Sequence, residues 1–212
     1  MLSLSGYDAT HSKILESGIK NFLKDGYEKS NLRKICKEAG VTTGAFYRHF
    51  DDKENLFTNL VEPFASQILD IYKNYEDKSL KTYESDEELS KNKLLEILKM
   101  KEEASVKSVS FFYDNKDIFE LLIFSSYGTK YENFIDEIIG FEDENHKKIL
   151  NLIYKNGYRS VITDEGLHLI NHAYIYALSE LVVHSNSKEE AVHNAKIIAG
   201  FFNDGWKKIR GL

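Results

Sequence analysis

The sequence predicts an all-α protein of about nine helices, and three observations support this. The 212 residues include one proline, strand-like alternation of apolar and polar residues is rare, and apolar residues recur three and four positions apart. Turn residues divide the chain into two parts of different character. We expect an N-terminal domain of three short helices in residues 1–56 and a domain of longer helices in residues 57–212.

The first predicted helix runs from about Ala9 to Lys24, and Asp25-Gly26 ends it. Its buried side is apolar at helical spacing and consists of Ile14, Leu15, Ile19, Phe22 and Leu23.

The next stretch has the pattern of two short helices joined by a glycine turn. Asn31 can cap the first of them, and Gly40 suits the left-handed conformation that ends it. Thr42 can cap the second, on which Phe46 and Phe50 form the buried stripe. The residues that then face outward are Thr43, Gly44, Ala45, Tyr47 and Arg48. This is the helix-turn-helix pattern, whose second helix enters the DNA major groove.

Residues 10–56 resemble the DNA-binding domain of the TetR family of bacterial transcriptional regulators. The match is ungapped and rests on Ile14, Phe22, Gly26-Tyr27, Ile35, Ala39-Gly40-Val41, Gly44, Phe46-Tyr47, His49-Phe50 and Lys53-Glu54-Asn55-Leu56. Two positions depart from the usual pattern: Cys36 replaces alanine and packs as a small hydrophobe, and Asn31 replaces threonine and caps as well. The resemblance covers about the first quarter of the chain. It implies a DNA-binding domain followed by a helical effector-binding and dimerisation domain.

Two kinds of DNA contact are predicted on this segment. Methyl groups touch thymine, glycine permits close approach and arginine donates to guanine, so the base-edge candidates are Thr43, Gly44, Ala45 and Arg48. Phosphate contacts position a protein without reading sequence, and the candidates for them are Thr42, Tyr47, His49 and Lys53. Arg33 suits either role. By resemblance, Tyr47 and Lys53 are the usual backbone contacts; the alternatives are a half-buried core aromatic and a solvated lysine.

The charge is divided unevenly along the chain. The formal net charge is −6, but residues 1–56 carry nine Lys or Arg and eight Asp or Glu, which leaves −7 for the remainder. Because phosphate repels an acidic surface, any DNA contact should be confined to the N-terminal domain. An equally good interpretation is that the second domain is acidic in the way that many helical proteins are.

The fourth predicted helix begins at Asp51 or Asp52, runs to about Lys78 and contains Pro63. Proline removes a backbone hydrogen bond and bends a helix, so this position is either a hinge between the domains or a local irregularity without a role. Lys53 would lie in the first turn, where the helix dipole disfavours a cation unless a phosphate binds there.

Five more helices are predicted. Helix 5 opens with a capping box at Ser85–Glu88 and continues towards Phe111-Phe112, helix 6 covers Asp117 to Ser125, helix 7 covers Lys130 to Asn156, helix 8 runs from Thr163 or Asp164 to Ser185, and helix 9 opens with a capping box at Ser187–Glu190.

The last two helices have more than one apolar face, which a single small domain cannot cover. We therefore expect a four-helix interface between two copies of the chain, as the resemblance also implies. The predicted interface residues are Tyr174, Leu178, Leu181, Val182, Ile198 and Phe202.

An effector site is expected in the second domain. Ligand pockets are mostly apolar with a few polar groups, and the aromatic residues of helices 5 to 8 fit that description. The predicted lining is Met100, Phe112, Phe124, Tyr127, Tyr131, Phe134 and Tyr174. The alternative is that these side chains are ordinary core. The many tyrosine hydroxyls favour an aromatic or amphipathic ligand over a simple alkyl chain.

Other chemistry finds little support in the sequence. His168 and His172 have a zinc-compatible spacing, but no glutamate follows His168, and solvated or core histidines are favoured. Cys36 lies on a buried face, where a thiol is inert. No phosphate loop, dinucleotide fingerprint or nucleophile elbow is present, so we expect no metal, no cofactor and no enzymatic activity.

The chain is expected to be cytoplasmic. A single cysteine excludes an internal disulfide. No apolar run approaches the roughly 20 residues of a membrane span, and the N-terminus lacks the pattern of a signal peptide.

The function that the resemblance implies is that of a ligand-responsive repressor. It would bind a pseudo-palindromic operator in double-stranded DNA as a dimer, and a small, largely apolar or aromatic effector would release it. Two other classes stay open: a small helical enzyme that uses the aromatic cavity, and an interaction module whose N-terminal domain no longer binds DNA.

Overall fold

The structure, a computed structural model, describes residues 6–84, 90–157, 159–160 and 162–212. Within these residues the chain is all-α, as predicted, with nine helices and no strand. The helices are α1 (Gly6–Lys29), α2 (Leu32–Glu38), α3 (Thr43–Phe46), α4 (Lys53–Glu84), α5 (Lys91–Asp114), α6 (Lys116–Phe124), α7 (Phe134–Lys155), α8 (Asp164–His184) and α9 (Lys188–Ile209).

The chain forms two compact units. The first consists of Met1–Ile68 and Asp117–Phe134, and the second of Leu69–Lys116 and Ile135–Leu212. Helix α4, which continues through Pro63, contributes to both. The domain boundary predicted after residue 56 stays a prediction.

The first unit is organised around fully buried apolar side chains from α1 to α4. Ile14, Phe22, Ile35, Phe46 and Phe57 have no exposed surface. Aromatic rings meet edge to face within this core, with the Phe22 and Phe57 ring centroids 5.2 Å apart. The core therefore fixes the orientation of the two short helices that follow α1.

Helix α1 begins three residues earlier than predicted and is interrupted where predicted. Gly26 has φ 71° and ψ 162°, a combination that breaks the helical path and is essentially restricted to glycine. The next backbone N–H, that of Tyr27, donates to the Ser125 carbonyl oxygen at 2.9 Å. The segment 117–134 is thus joined to the end of α1.

The second unit is built from α5, α7, α8 and α9. One apolar cluster contains Leu94, Ile97, Ile149 and Ile153. A second contains Leu98, Leu167 and Trp206, which bring α5, α8 and α9 together. No helix of the described residues has the length and apolar character that crossing a membrane requires.

The predicted helix starts are correct where local side chains set them. Thr163 Oγ1 accepts a hydrogen bond from Gly166 N, and Ser187 Oγ accepts one from Glu190 N, both at 3.1 Å. Helix α7 begins at Phe134 instead of Lys130, because Thr129 Oγ1 accepts from Tyr131 N at 3.0 Å and holds the preceding residues in turns.

The predicted start of helix 5 is the exception. Its capping box at Ser85–Glu88 lies outside the described residues, and Ser90 caps α5 as the structure describes it.

Candidate nucleic-acid interface

The two helices of the helix-turn-helix begin with the capping hydrogen bonds that the sequence predicts. Asn31 Oδ1 accepts hydrogen bonds from Arg33 N at 2.9 Å and from Lys34 N at 3.3 Å, which caps α2. Thr42 Oγ1 accepts from Ala45 N at 3.1 Å, which caps α3. Both predicted caps are confirmed.

The turn between the two helices depends on Gly40. This residue has φ 69°, and its N–H donates to the Lys37 carbonyl oxygen at 3.1 Å. The Val41 N–H donates to the Cys36 carbonyl oxygen at 2.9 Å, which completes a Schellman motif. Cys36 is buried, as predicted, and burial raises the pKa of its thiol, so the neutral and unreactive form is favoured.

The structure exposes most of the predicted DNA contacts on one segment. Arg33, Thr42, Thr43, Gly44, Tyr47 and Arg48 are exposed, while Ala45, His49 and Lys53 are partly buried. Tyr47 is 58% exposed, although its neighbour Phe46 is fully buried. Tyr47 is therefore a surface aromatic and not a core one, which leaves its hydroxyl accessible to a partner.

Gly44 has room for a larger residue. A Cβ built on it would meet Thr42 Oγ1 at 3.9 Å and no other atom within 4 Å. The fold of the free protein therefore does not require glycine at this position.

Two side chains from the start of α1, Tyr7 and His11, support the end of the helix-turn-helix and were not predicted from the sequence. The Tyr7 hydroxyl donates to the Arg48 carbonyl oxygen at 3.3 Å, and the Tyr7 and His49 ring centroids lie 4.1 Å apart. The His11 ring stacks on Phe50 at 4.8 Å. Burial, followed by the proximity of His11 and Arg48, lowers the pKa of His49. The spacing of Tyr7 and His11, one helical turn apart, was the available signal.

Lys53 has intramolecular partners. Its Nζ donates to the carbonyl oxygens of Tyr27 at 2.7 Å and Ser30 at 3.2 Å, and it lies 4.2 Å from the Tyr27 ring centroid. Burial lowers the pKa of this lysine. The carbonyl groups at the end of α1 thus compensate a cation that the first turn of α4 disfavours. Asp52 caps α4, since its Oδ1 accepts from Asn55 N at 2.7 Å. A phosphate contact by Lys53 stays a prediction.

The second unit contains a cavity of about 60 Å³. Its walls come from α4, α5, α7 and α8, and the lining residues are Ile71, Tyr72, Tyr75, Lys101, Ala104, Ser105, Ser108, Val109, Phe112, Glu142, Tyr174, Ile175, Leu178 and Ser179.

Two of the seven predicted effector residues, Phe112 and Tyr174, line this cavity. The other predicted residues do not: Met100, Phe124, Tyr127, Tyr131 and Phe134. Residues 117–134 belong to the first unit, where Tyr131 packs its ring 6.3 Å from that of Phe57. The sequence pattern identified aromatic residues but not the unit in which each of them is packed.

A buried polar network, which was not predicted from the sequence, adjoins the cavity. The Lys101 Nζ lies 2.7 Å from Glu142 Oε2 and 2.8 Å from His146 Nε2. A lysine has only donors to offer, so His146 Nε2 accepts and its Nδ1–H donates to Asn171 Oδ1 at 2.8 Å. Asn171 Nδ2 in turn donates to Asp143 Oδ1 at 2.7 Å. Burial, together with the charge of Lys101, holds the pKa of His146 well below its usual value.

Three of the six predicted dimer residues are buried within one chain, and the dimer contact of all six stays a prediction. Tyr174 is 5%, Leu178 8% and Val182 0% exposed within one chain, and Leu181, Ile198 and Phe202 are partly buried. Helices α8 and α9 expose other apolar residues instead: Leu169 is 66%, Ile197 59% and Phe201 75% exposed. Each helix has two apolar faces, and the predicted residues lie largely on the face that packs against the rest of the chain.

No metal-binding arrangement is found in the part of the chain that the structure describes, since no three His, Cys, Asp or Glu side chains cluster suitably. The Nδ1 atom of His168 lies 2.7 Å from Asp143 Oδ2, on the exposed side of the polar network. The rings of His168 and His172 are 6.2 Å apart.

Comparison with known proteins identifies the N-terminal segment. The family model described as "Bacterial regulatory proteins, tetR family" matches residues 14–60. The chain is 24% identical over 168 residues to YerO, an uncharacterized HTH-type transcriptional regulator of Bacillus subtilis (strain 168), an alignment that covers 77% of this chain and 54% of YerO. It is 38% identical over 69 residues to the HTH-type transcriptional regulator AcrR of Shigella flexneri, with 32% of each chain covered.

The curated relatives are matched over about half of their length or less. The likeness of fold extends further. A TetR-like transcriptional regulator from Rhodococcus sp. RHA1 is 14% identical and superimposes with a TM-score of 0.54, covering 96% of this chain and 100% of that chain. Residues 14–60 thus match the TetR family of bacterial regulatory proteins, and the chain shares its helical fold with a TetR-like regulator.

Proposed function

We propose that this protein is a transcriptional repressor that binds a pseudo-palindromic DNA operator as a homodimer and is released by a small, largely apolar effector. The proposal rests on the exposed side chains of α3 and of the residues next to it. Thr43, Gly44, Tyr47 and Arg48 are exposed together on a capped helix-turn-helix whose core is fully buried. Such a row presents small groups, a phenol and a guanidinium to the major groove.

The proposed contacts divide by role. Thr43, Gly44, Ala45 and Arg48 face base edges, while Thr42, Tyr47 and His49 contact phosphates, with Arg33 serving either purpose. Lys53 also stays among the proposed phosphate contacts. Its bonds to the α1 carbonyl groups give it a structural task as well, so its substitution needs a separate control.

The proposed dimer uses the exposed apolar residues of α8 and α9. Leu169, Ile197 and Phe201 are each more than half exposed in the single chain. Apolar surface of this kind is stabilised by pairing with a second copy about a two-fold axis. Two α3 helices would then lie about 34–36 Å apart, one turn of DNA.

The proposed effector site is the cavity in the second unit. It is enclosed by aromatic and aliphatic side chains with hydroxyl groups among them, a composition typical of small-molecule sites. An effector that favours one conformation of this unit by about 1–3 kcal/mol would be sufficient to weaken operator binding.

Selection of bound duplexes from a random DNA library, with purified protein at low salt, tests the proposal. Wild type should enrich an inverted repeat, and Tyr47→Phe and Arg48→Ala should weaken binding to it. Lys73→Ala is the matched control, because it removes one positive charge from an exposed position in the second unit.

A folded, ligand-free dimer that enriches no sequence would overturn the repressor proposal, as would equal losses in Arg48→Ala and Lys73→Ala. Lys53→Ala belongs in the same series with its thermal unfolding recorded. A loss of DNA binding without a loss of stability would support the phosphate contact.

A further inference from the structure

The cavity of the second unit has two charged side chains in its lining, Lys101 and Glu142. Both are buried within the chain, at 8% and 7% exposure, and their charged atoms lie 2.7 Å apart. Burying an ion pair costs solvation energy that apolar residues of the same size would not lose. A charged pair at a cavity wall is therefore a feature that a ligand can use.

The Lys101 ammonium has a hydrogen bond to offer. It carries three N–H donors, and in the described part of the chain two acceptors lie within hydrogen-bonding distance, Glu142 Oε2 and His146 Nε2. Lys101 is also one of the residues that line the cavity. An oxygen atom of a bound molecule would complete the coordination of the ammonium, with the added strength of a charge-assisted bond.

The charge of the surroundings restricts what can bind. Lys101 and Glu142 cancel each other, and burial together with the charge of Lys101 keeps His146 neutral by lowering its pKa. Burial lowers the pKa of Lys101, and the adjacent Glu142 carboxylate opposes this shift. A charged ligand would thus bring an uncompensated charge into an apolar enclosure, at a large cost in solvation.

We propose that this cavity binds an uncharged, largely apolar molecule that carries a hydroxyl or carbonyl oxygen, and that the Lys101 ammonium recognises this oxygen. The apolar body of the molecule would lie against Val109, Phe112 and Ile175. Glu142 compensates Lys101 and makes the site selective against carboxylates. The inference rests on the proposed effector site, and it adds the ligand class and the residue that distinguishes it.

Four probes that differ in one terminal group test the proposal on the full chain without DNA. They are butan-1-ol, pentane, butanoate and butylammonium, whose size suits a small cavity, and their dissociation constants are measured by titration calorimetry. Fluorescence of Trp206, the one tryptophan, is a second readout, because its ring lies 4.3 Å from that of His146 and 6.0 Å from Lys101 Nζ. The dissociation constant of the alcohol should be at least about tenfold lower than that of each of the other three probes.

Variants assign the selectivity to the charged pair. Lys101→Met/Glu142→Met removes both charges without leaving either unpaired, and it should bind the alcohol and pentane with similar affinity. Glu142→Gln leaves the Lys101 ammonium without its carboxylate partner, so butanoate should gain about tenfold in affinity. Lys99→Met, at an exposed position two residues away on α5, should behave like wild type.

The outcomes separate this inference from the repressor proposal. Tightest binding of a charged probe, equal binding of alcohol and hydrocarbon, or no binding of any probe would overturn the inference while leaving the DNA selection unaffected. An unchanged preference for the alcohol in the double variant would also overturn it. Failure of the DNA selection by a protein that binds the alcohol as expected would remove the repressor proposal alone.

Discussion

Gly44 offers a substitution in which protein stability and DNA affinity should move in opposite directions. Its added Cβ meets one atom, Thr42 Oγ1, at 3.9 Å, which is ordinary van der Waals contact. The residue lies in the first turn of α3 without a positive φ. Alanine at a compatible helical position restricts the unfolded chain and stabilises a protein by about 0.4–1 kcal/mol.

DNA affinity should fall in the same variant. If Gly44 allows α3 to approach base edges closely, a methyl group at this position displaces the helix from the groove and weakens its neighbouring contacts. We expect Gly44→Ala to lose at least about tenfold in operator affinity, equivalent to about 1.4 kcal/mol. Fluorescence anisotropy with the selected operator and urea unfolding of the same sample measure the two quantities.

Gly18→Ala is the matched control, because the same methyl group is added at a buried position. Its Cβ would lie 3.1 Å from Leu56 Cδ2, so the Leu56 side chain must shift by a few tenths of an ångström to accommodate it. Affinity per folded molecule should change little. Operator affinity of Gly44→Ala equal to that of wild type would refute the close approach, and a loss of stability in Gly44→Ala would refute the geometric argument.

Three further predictions concern the second unit. Lys101→Met should lower the free energy of unfolding by about 3–5 kcal/mol, since it leaves the buried Glu142 carboxylate unpaired, whereas Lys101→Met/Glu142→Met should stay within about 1 kcal/mol of wild type in urea unfolding. The pKa of His146 is lowered in the folded state, so stability should fall as pH drops below about 6.5, by about 1.4 kcal/mol per pH unit. Urea unfolding between pH 7.5 and 5.5 should show a smaller decrease in His146→Asn, and an identical decrease would contradict this origin. Phe201→Glu should shift sedimentation towards the monomer, while Tyr154→Glu, at a residue 70% exposed on α7, should not.

Features that depend on a few adjacent residues were predictable from the sequence. The caps at Asn31, Thr42, Thr163 and Ser187 follow from one side chain and a backbone N–H two or three residues later. Gly40 likewise takes the left-handed conformation that its place after α2 predicts.

Features that depend on which faces meet were not predictable. Lys101 and His146 are 45 positions apart, and no local pattern indicates that their side chains lie 2.8 Å apart. Phe124 and Tyr131 have the periodicity of pocket aromatics but pack in the first unit. Val182 and Phe201 both belong to apolar helices. The packing of the whole unit determines that Val182 is buried and Phe201 is exposed.

Gly26 shows why empty space alone is a poor guide for protein design. No atom lies within 4 Å of the position that its Cβ would occupy, so a search for fillable sites would select it. Its φ of 71° and ψ of 162° are nevertheless almost closed to residues with a side chain. A residue with a side chain would have to adopt helical geometry at this position. The Tyr27 N–H would then donate within α1 and no longer to the Ser125 carbonyl oxygen. The position is sterically open but conformationally restricted, and a redesigned sequence should keep glycine there.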